Sequence, residues 1–127
     1  MSHYLLSAEA KFSAAHQIPG VHMCDRVHGH NWRVRVTVRV GDDGLDESGM
    51  GVDFRAIERI ARDSVAEFEH RHLNELEPFR DRPPTAERIA RVLCDRITDG
   101  LGGVSRVATV DSIEVWEMPE YRVLFRP

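Results

Sequence analysis

The sequence predicts an α+β domain, a four-stranded antiparallel sheet with two helices packed on one face. Three observations carry this. Residues 31–40, NWRVRVTVRV, alternate apolar and polar side chains almost without a break, the pattern of a strand with one buried face. Two helical segments follow one another in the middle of the chain, each behind a capping residue. The whole reads strand, strand, helix, helix, strand, strand, and strands grouped apart from helices favour α+β over alternating α/β.

Each element has its own signal. YLLSAEAKFSAAH (4–16) alternates loosely and reads as the first strand, and GDDGLDESG (41–49) is turn chemistry after the second. Asp53 reads as the N-cap of a helix whose apolar face is Phe54, Ile57, Ile60, Ala61, Val65 and Phe68. Thr85 caps the second helix, Glu87 suits its N-terminal dipole, Ile89, Val92, Leu93 and Ile97 form its face, and DGLGG (99–103) ends it. RVATVDSIEVWEM and YRVLFRP are the last two strands, joined at Pro119 and Glu120. With helices on one face of the sheet, the other must meet water or another subunit.

Composition narrows the function. The chain has 127 residues, the size of one domain spanning 1–127, with an ordinary globular balance of 42% hydrophobic and 30% charged residues. Seventeen basic and 21 acidic side chains give a net charge of −4, which argues against coating nucleic acid or an anionic membrane. Two cysteines make no disulfide framework, no apolar segment follows a basic start, and no apolar run is long enough to span a bilayer; the expected compartment is the reducing cytoplasm. Cys94, in the apolar stripe IARVLCDRI, reads as a small buried hydrophobe.

The chemistry gathers at CDRVHGH (24–30). If HGH enters the second strand extended, His28 and His30 point to one side, and Gly29 between them allows close backbone approach. Two parallel imidazoles are two ligands of a tetrahedral zinc site, and His16, ending the neighbouring first strand, is the best third. Three ligands leave a position open for water or substrate, the catalytic arrangement. Cys24 as a fourth ligand gives a closed structural site instead, and the spacing allows both. Cys24 can also act as a nucleophile or acid–base group if a base partners it. EFEHRHLNE supplies Glu69 and His70, an acidic residue beside an imidazole. His3, His22 and His72 read as solvated side chains. Glu117 ends the third strand, where a carboxylate can accept two parallel N–H donors from a heterocycle.

Taken together, FSAAH, CDRVHGHNW, GVDF, EHRHLN, PTAE and VWEMPE stand in the order and spacing of the 6-pyruvoyltetrahydropterin synthase / 6-carboxytetrahydropterin synthase family, which the chain resembles from about Phe12 to Tyr121. The resemblance implies that His16, His28 and His30 bind Zn2+, that Cys24 is the catalytic cysteine with His70 as its partner, and that Glu69 occupies the place of the family's catalytic aspartate. Glu117 would anchor the 2-amino and N3 edge of a pterin. The implied fold is the T-fold, or tunnelling fold, assembled as trimers that stack into hexamers with active sites between subunits.

The three-residue gap between Cys24 and His28 resembles the bacterial 6-carboxytetrahydropterin synthase branch of queuosine and 7-deazapurine biosynthesis. That branch acts on 7,8-dihydroneopterin triphosphate, a small-molecule partner, and releases acetaldehyde and triphosphate. The pyruvoyl synthase is the alternative within the family, and a non-catalytic zinc-stabilised binding module the alternative outside it. Glu69 is one methylene longer than the family's aspartate, and Met118 stands where a threonine is common. Arg26, inside the cluster, is offered as a contact for the triphosphate.

Overall fold

The computed structural model describes residues 2–127. Its elements are β1 (His3–His16), β2 (His28–Gly41), α1 (Phe54–Val65), α2 (Ala86–Gly102), β3 (Thr109–Met118) and β4 (Tyr121–Phe125), with short 3-10 turns between. The four strands form one antiparallel sheet in the order β1-β2-β3-β4, as the alternation and element order predicted. Helix α1 lies on β1, α2 lies on β3 and β4, and the two helices touch each other on the same face.

Alternation fixes the core. Val34, Val36 and Val40 on β2 are fully buried, and Phe12 and Ala10 on β1 and Ile113 and Val115 on β3 face the same way. Phe12 stacks on Trp32 with ring centroids 5.7 Å apart, and Phe68 closes over Phe12 at 5.4 Å. Trp32 is the largest fully buried side chain, and its indole N–H donates to the Ala14 carbonyl at 3.2 Å, so its polar atom is satisfied. Both caps form as expected: Asp53 accepts from the Arg55 N–H at 2.8 Å, and Thr85 from the Arg88 N–H at 3.2 Å. Cys94 is buried at 3% exposure, and burial pushes its thiol pKa up.

Four details depart from the sequence reading. Phe54 is 61% exposed rather than on the core face, because it starts α1 and instead lines a shallow groove with Tyr4, Leu5 and Met50. Helix α1 stops at Val65, and Phe68 reaches the core from a 3-10 turn. Helix α2 runs through Asp99–Gly100 to Gly102, since Leu101 is buried and Gly100 lets α1 approach: a Cβ there would lie 2.9 Å from Ile60 Cγ2. Gly29 is not required by space, because a Cβ there would meet nothing nearer than the Ala14 carbonyl at 3.9 Å.

The face away from the helices is polar. Ser7 and Thr37 hydroxyls pair at 3.0 Å, Glu9 takes Arg35 at 3.0 Å, and the buried Glu114 takes Arg122 at 2.9 Å. No helix among the described residues is long and apolar enough to cross a membrane.

Candidate active site

Strands β1 and β2 pair to their ends, with His16 opposite His28, Ala14 opposite His30 and Phe12 opposite Trp32. The three histidines therefore leave the sheet on the face of the buried Phe12 and Trp32, at the end of the core. Their ring centroids lie 4.6, 5.1 and 4.9 Å apart, and Trp32 floors the group at 5.0 Å from His16 and 5.3 Å from His30. One ligand atom from each falls within 4.8 Å of the others.

Second contacts orient two of the rings. His16 Nδ1 donates to the Pro84 carbonyl at 2.9 Å, and His28 Nδ1 donates to the Arg26 carbonyl at 2.7 Å, so each turns a basic Nε2 inward. His16 Nε2 and His30 Nε2 are buried without a hydrogen-bond partner among the described residues. Buried polar atoms are normally paired, and imidazole nitrogens converging unpaired are the donor set of a metal ion such as zinc. Burial holds the His16 and His30 pKa values below the ordinary histidine value, against the opposing pull of Glu117. That keeps both rings neutral, as ligation requires.

Glu117 reaches this cluster through a β-bulge. Trp116 pairs with Arg122 and Met118 with Tyr121, so Glu117 is the extra residue of β3. The bulge brings its Oε1 to 3.3 Å from His30 Nε2, without forming a hydrogen bond, and its side chain stays 29% exposed.

Cys24 lies in the loop that joins His16 to His28, outside the three-histidine group. Its carbonyl accepts from the Ile18 N–H at 2.7 Å, the Gln17 amide donates to the Asp25 carbonyl at 3.3 Å, and Met23 before it has a left-handed φ of 69°. Arg26 contributes its carbonyl to His28, while its side chain is exposed.

Glu69 and His70 follow the turn after α1. His70 adopts a left-handed φ of 56°, unusual for a residue with a Cβ, and its N–H donates to the Ser13 carbonyl at 2.7 Å. The Ser13 N–H in turn donates to Glu69 Oε1 at 3.1 Å, and the same oxygen lies 3.3 Å from His70 Nε2. The pair is thus brought together and anchored to the edge of β1. Among the described residues no hydrogen bond joins it to Cys24.

His72, read from sequence as solvated, is half-buried. The Ala15 N–H donates to the Arg71 carbonyl at 2.9 Å, His72 bridges to Ala15, and its Nε2 is shielded without a partner. Only the docking of this segment on β1 reveals that, since the sequence shows an ordinary polar turn. Asn74 locks the same junction, exchanging two 2.9 Å hydrogen bonds with the Gln17 backbone just past His16.

Comparison with known proteins agrees with this frame. Residues 5–127 match the family described as 6-pyruvoyl tetrahydropterin synthase. A protein of Archaeoglobus fulgidus, provisionally named a 6-carboxy-5,6,7,8-tetrahydropterin synthase, is 36% identical over 88% of this chain and 91% of its own. The 6-carboxy-5,6,7,8-tetrahydropterin synthase of Bacillus subtilis is 33% identical over 96% of this chain and 84% of its own. The structure of the Caenorhabditis elegans 6-pyruvoyl tetrahydropterin synthase superposes with a TM-score of 0.82 over 100% of this chain and 97% of that one, at 20% identity, and so shares its fold. From the family match over nearly its whole length, the chain belongs to the 6-pyruvoyl tetrahydropterin synthase family.

Proposed function

We propose that the chain is a zinc-dependent 6-carboxy-5,6,7,8-tetrahydropterin synthase. It would convert 7,8-dihydroneopterin triphosphate and one water, which atom balance requires, to 6-carboxytetrahydropterin, acetaldehyde and triphosphate, for queuosine or a related 7-deazapurine in the cytoplasm. The observation that carries this reading is the convergence of His16, His28 and His30, with Cys24 in the loop between His16 and His28 but outside the group. The names of the two relatives support it.

His16, His28 and His30 would hold the zinc, which supplies Lewis-acid polarisation of the substrate's side-chain oxygens when bound. Cys24 moves a proton at the side-chain carbons next to the ring. Glu69 and His70 set the protonation of that thiol. That no hydrogen bond joins them to Cys24 among the described residues fits a site assembled between subunits, in a hexamer of stacked trimers. The outer edges of β1 and β4, unpaired with any other strand of the sheet, suit that assembly. Glu117 fixes the pterin through charge-assisted hydrogen bonds from its 2-amino and N3 groups.

The test is Cys24→Ala. Zinc content per chain should stay at the wild-type level while acetaldehyde release falls by about 10²–10⁴-fold, the usual worth of a positioned acid–base group. Loss of zinc and fold together would mark a closed structural site. A wild-type product that keeps its three-carbon side chain would mark the pyruvoyl synthase.

A further inference from the structure

The face of the sheet opposite the helices carries a groove of about 500 Å³ beside Lys11, Asn31, Arg33 and Trp116, with Glu69 at its margin. Its donors are left over. The Arg33 guanidinium stacks 3.8 Å above the Trp116 ring, and its Nε is buried without an acceptor. Its one ion pair among the described residues is a long one, 3.8 Å to Glu9 Oε1, while Arg35 takes the other Glu9 oxygen at 3.0 Å. Lys11 is exposed and enters no ion pair among the described residues. Asn31 uses its Oδ1 to accept from the Ser13 hydroxyl at 2.8 Å, and its amide N–H groups donate to no acceptor among the described residues. The one acid at the margin, Glu69, is held by the Ser13 N–H. Two cationic side chains and an amide thus gather on an aromatic wall, Arg33 meeting only the long ion pair to Glu9 and no hydrogen-bond acceptor for its Nε among the described residues.

The groove also adjoins the histidine site. The last pair between β2 and β3 is Arg33 with Trp116, so residues 28–32 lie beyond the paired part of β3 with that side of the strand unpaired. Around this two-stranded end a ligand can reach from Glu117 and His30 on one face to Asn31 and Arg33 on the other.

We propose that Lys11, Asn31 and Arg33 form an anion subsite for a polyphosphate chain, either that of the phosphorylated substrate or the free triphosphate it leaves behind. This deepens the function proposed above by locating the substrate's phosphates, and it replaces Arg26 in that role. The test is calorimetric titration of the zinc-loaded protein with inorganic triphosphate, for wild type, Lys11→Ala, and Lys11→Ala/Arg33→Gln. Affinity should fall about tenfold in the single variant and about 100-fold in the double, as expected for charge-assisted phosphate contacts. If the double variant fails to fold by circular dichroism, Lys11→Ala, altered at an exposed side chain, decides alone. A KM for dihydroneopterin triphosphate that rises in parallel, with kcat held, assigns the subsite to substrate; an unchanged KM with weakened triphosphate binding assigns it to product. Triphosphate affinity indifferent to both substitutions, as for coordination by the metal alone, overturns the proposal. A wild-type protein that releases no acetaldehyde would refute the proposed reaction, while the titration would still decide the subsite.

Discussion

Replacing His28 by alanine separates metal binding from folding, because the three candidate ligands differ in what else they do. His28 is half-buried, and its one side-chain hydrogen bond among the described residues runs from Nδ1 to the Arg26 carbonyl. Losing it costs about 0.5–1.5 kcal/mol. For 127 residues, an unfolding entropy near 2.1 cal/mol/K per residue makes 1 kcal/mol worth about 4 °C of Tm, so metal-free His28→Ala should melt about 2–6 °C below wild type. Zinc at 100 times its Kd stabilises the folded state by about 2.7 kcal/mol, or about 10 °C, and His28→Ala should lose that rise. His16 is different: it is 1% exposed, packs at 5.0 Å from Trp32 and bonds to the Pro84 carbonyl. His16→Ala should cost about 2–4 kcal/mol even without metal, through the cavity and the unpaired carbonyl. Thermal melts of both variants, with chelator and with zinc, make the comparison. A His28→Ala protein that keeps the full zinc-dependent rise would refute the three-histidine site.

Acid should destabilise the metal-free protein through His16 and His30. Burial lowers both folded pKa values, so below the unfolded value near 6.5 the unfolded chain takes up protons that the folded chain does not. Stability should fall as pH drops below about 6.5, by at most about 1.4 kcal/mol per pH unit for each histidine, until the folded rings titrate. Urea midpoints between pH 7.5 and 5.5 test this, and His30→Gln should show the shallower slope; equal slopes would exclude His30 as a contributor. Gly100→Ala should lower Tm although alanine favours helix by about 1 kcal/mol, because the new Cβ meets Ile60 at 2.9 Å and overpacking costs about 1–3 kcal/mol. Gly102→Ala, with nothing within 4 Å of its Cβ, should raise Tm by up to about 4 °C.

Much of this was legible in the chain because local periodicity carries it. The alternation of β2 put His28 and His30 on one side, and Asp53 and Thr85 marked where the helices begin. The place of His16 next to His28 also followed, since consecutive strands pair readily, the first ending and the second beginning in histidine. The family was readable from the same motifs.

Other features depend on pairings between residues distant in sequence, which no local pattern encodes. The bulge that turns Glu117 toward His30 exists only because β3 pairs with β4 one residue out of step. His70 meets Glu69 on the edge of β1, and His72 loses its water there, because residues 69–72 dock on Ser13 and Ala15. Arg33 is one of several alternating arginines in the sequence, and only the fold buries its Nε over Trp116 with Glu9 too far, at 3.8 Å, for a hydrogen bond. Sequence by itself determined which candidate residues gather and which strands present them. The tertiary structure decided which of their polar atoms are left unpaired, because desolvation and hydrogen-bond competition are properties of the packed chain.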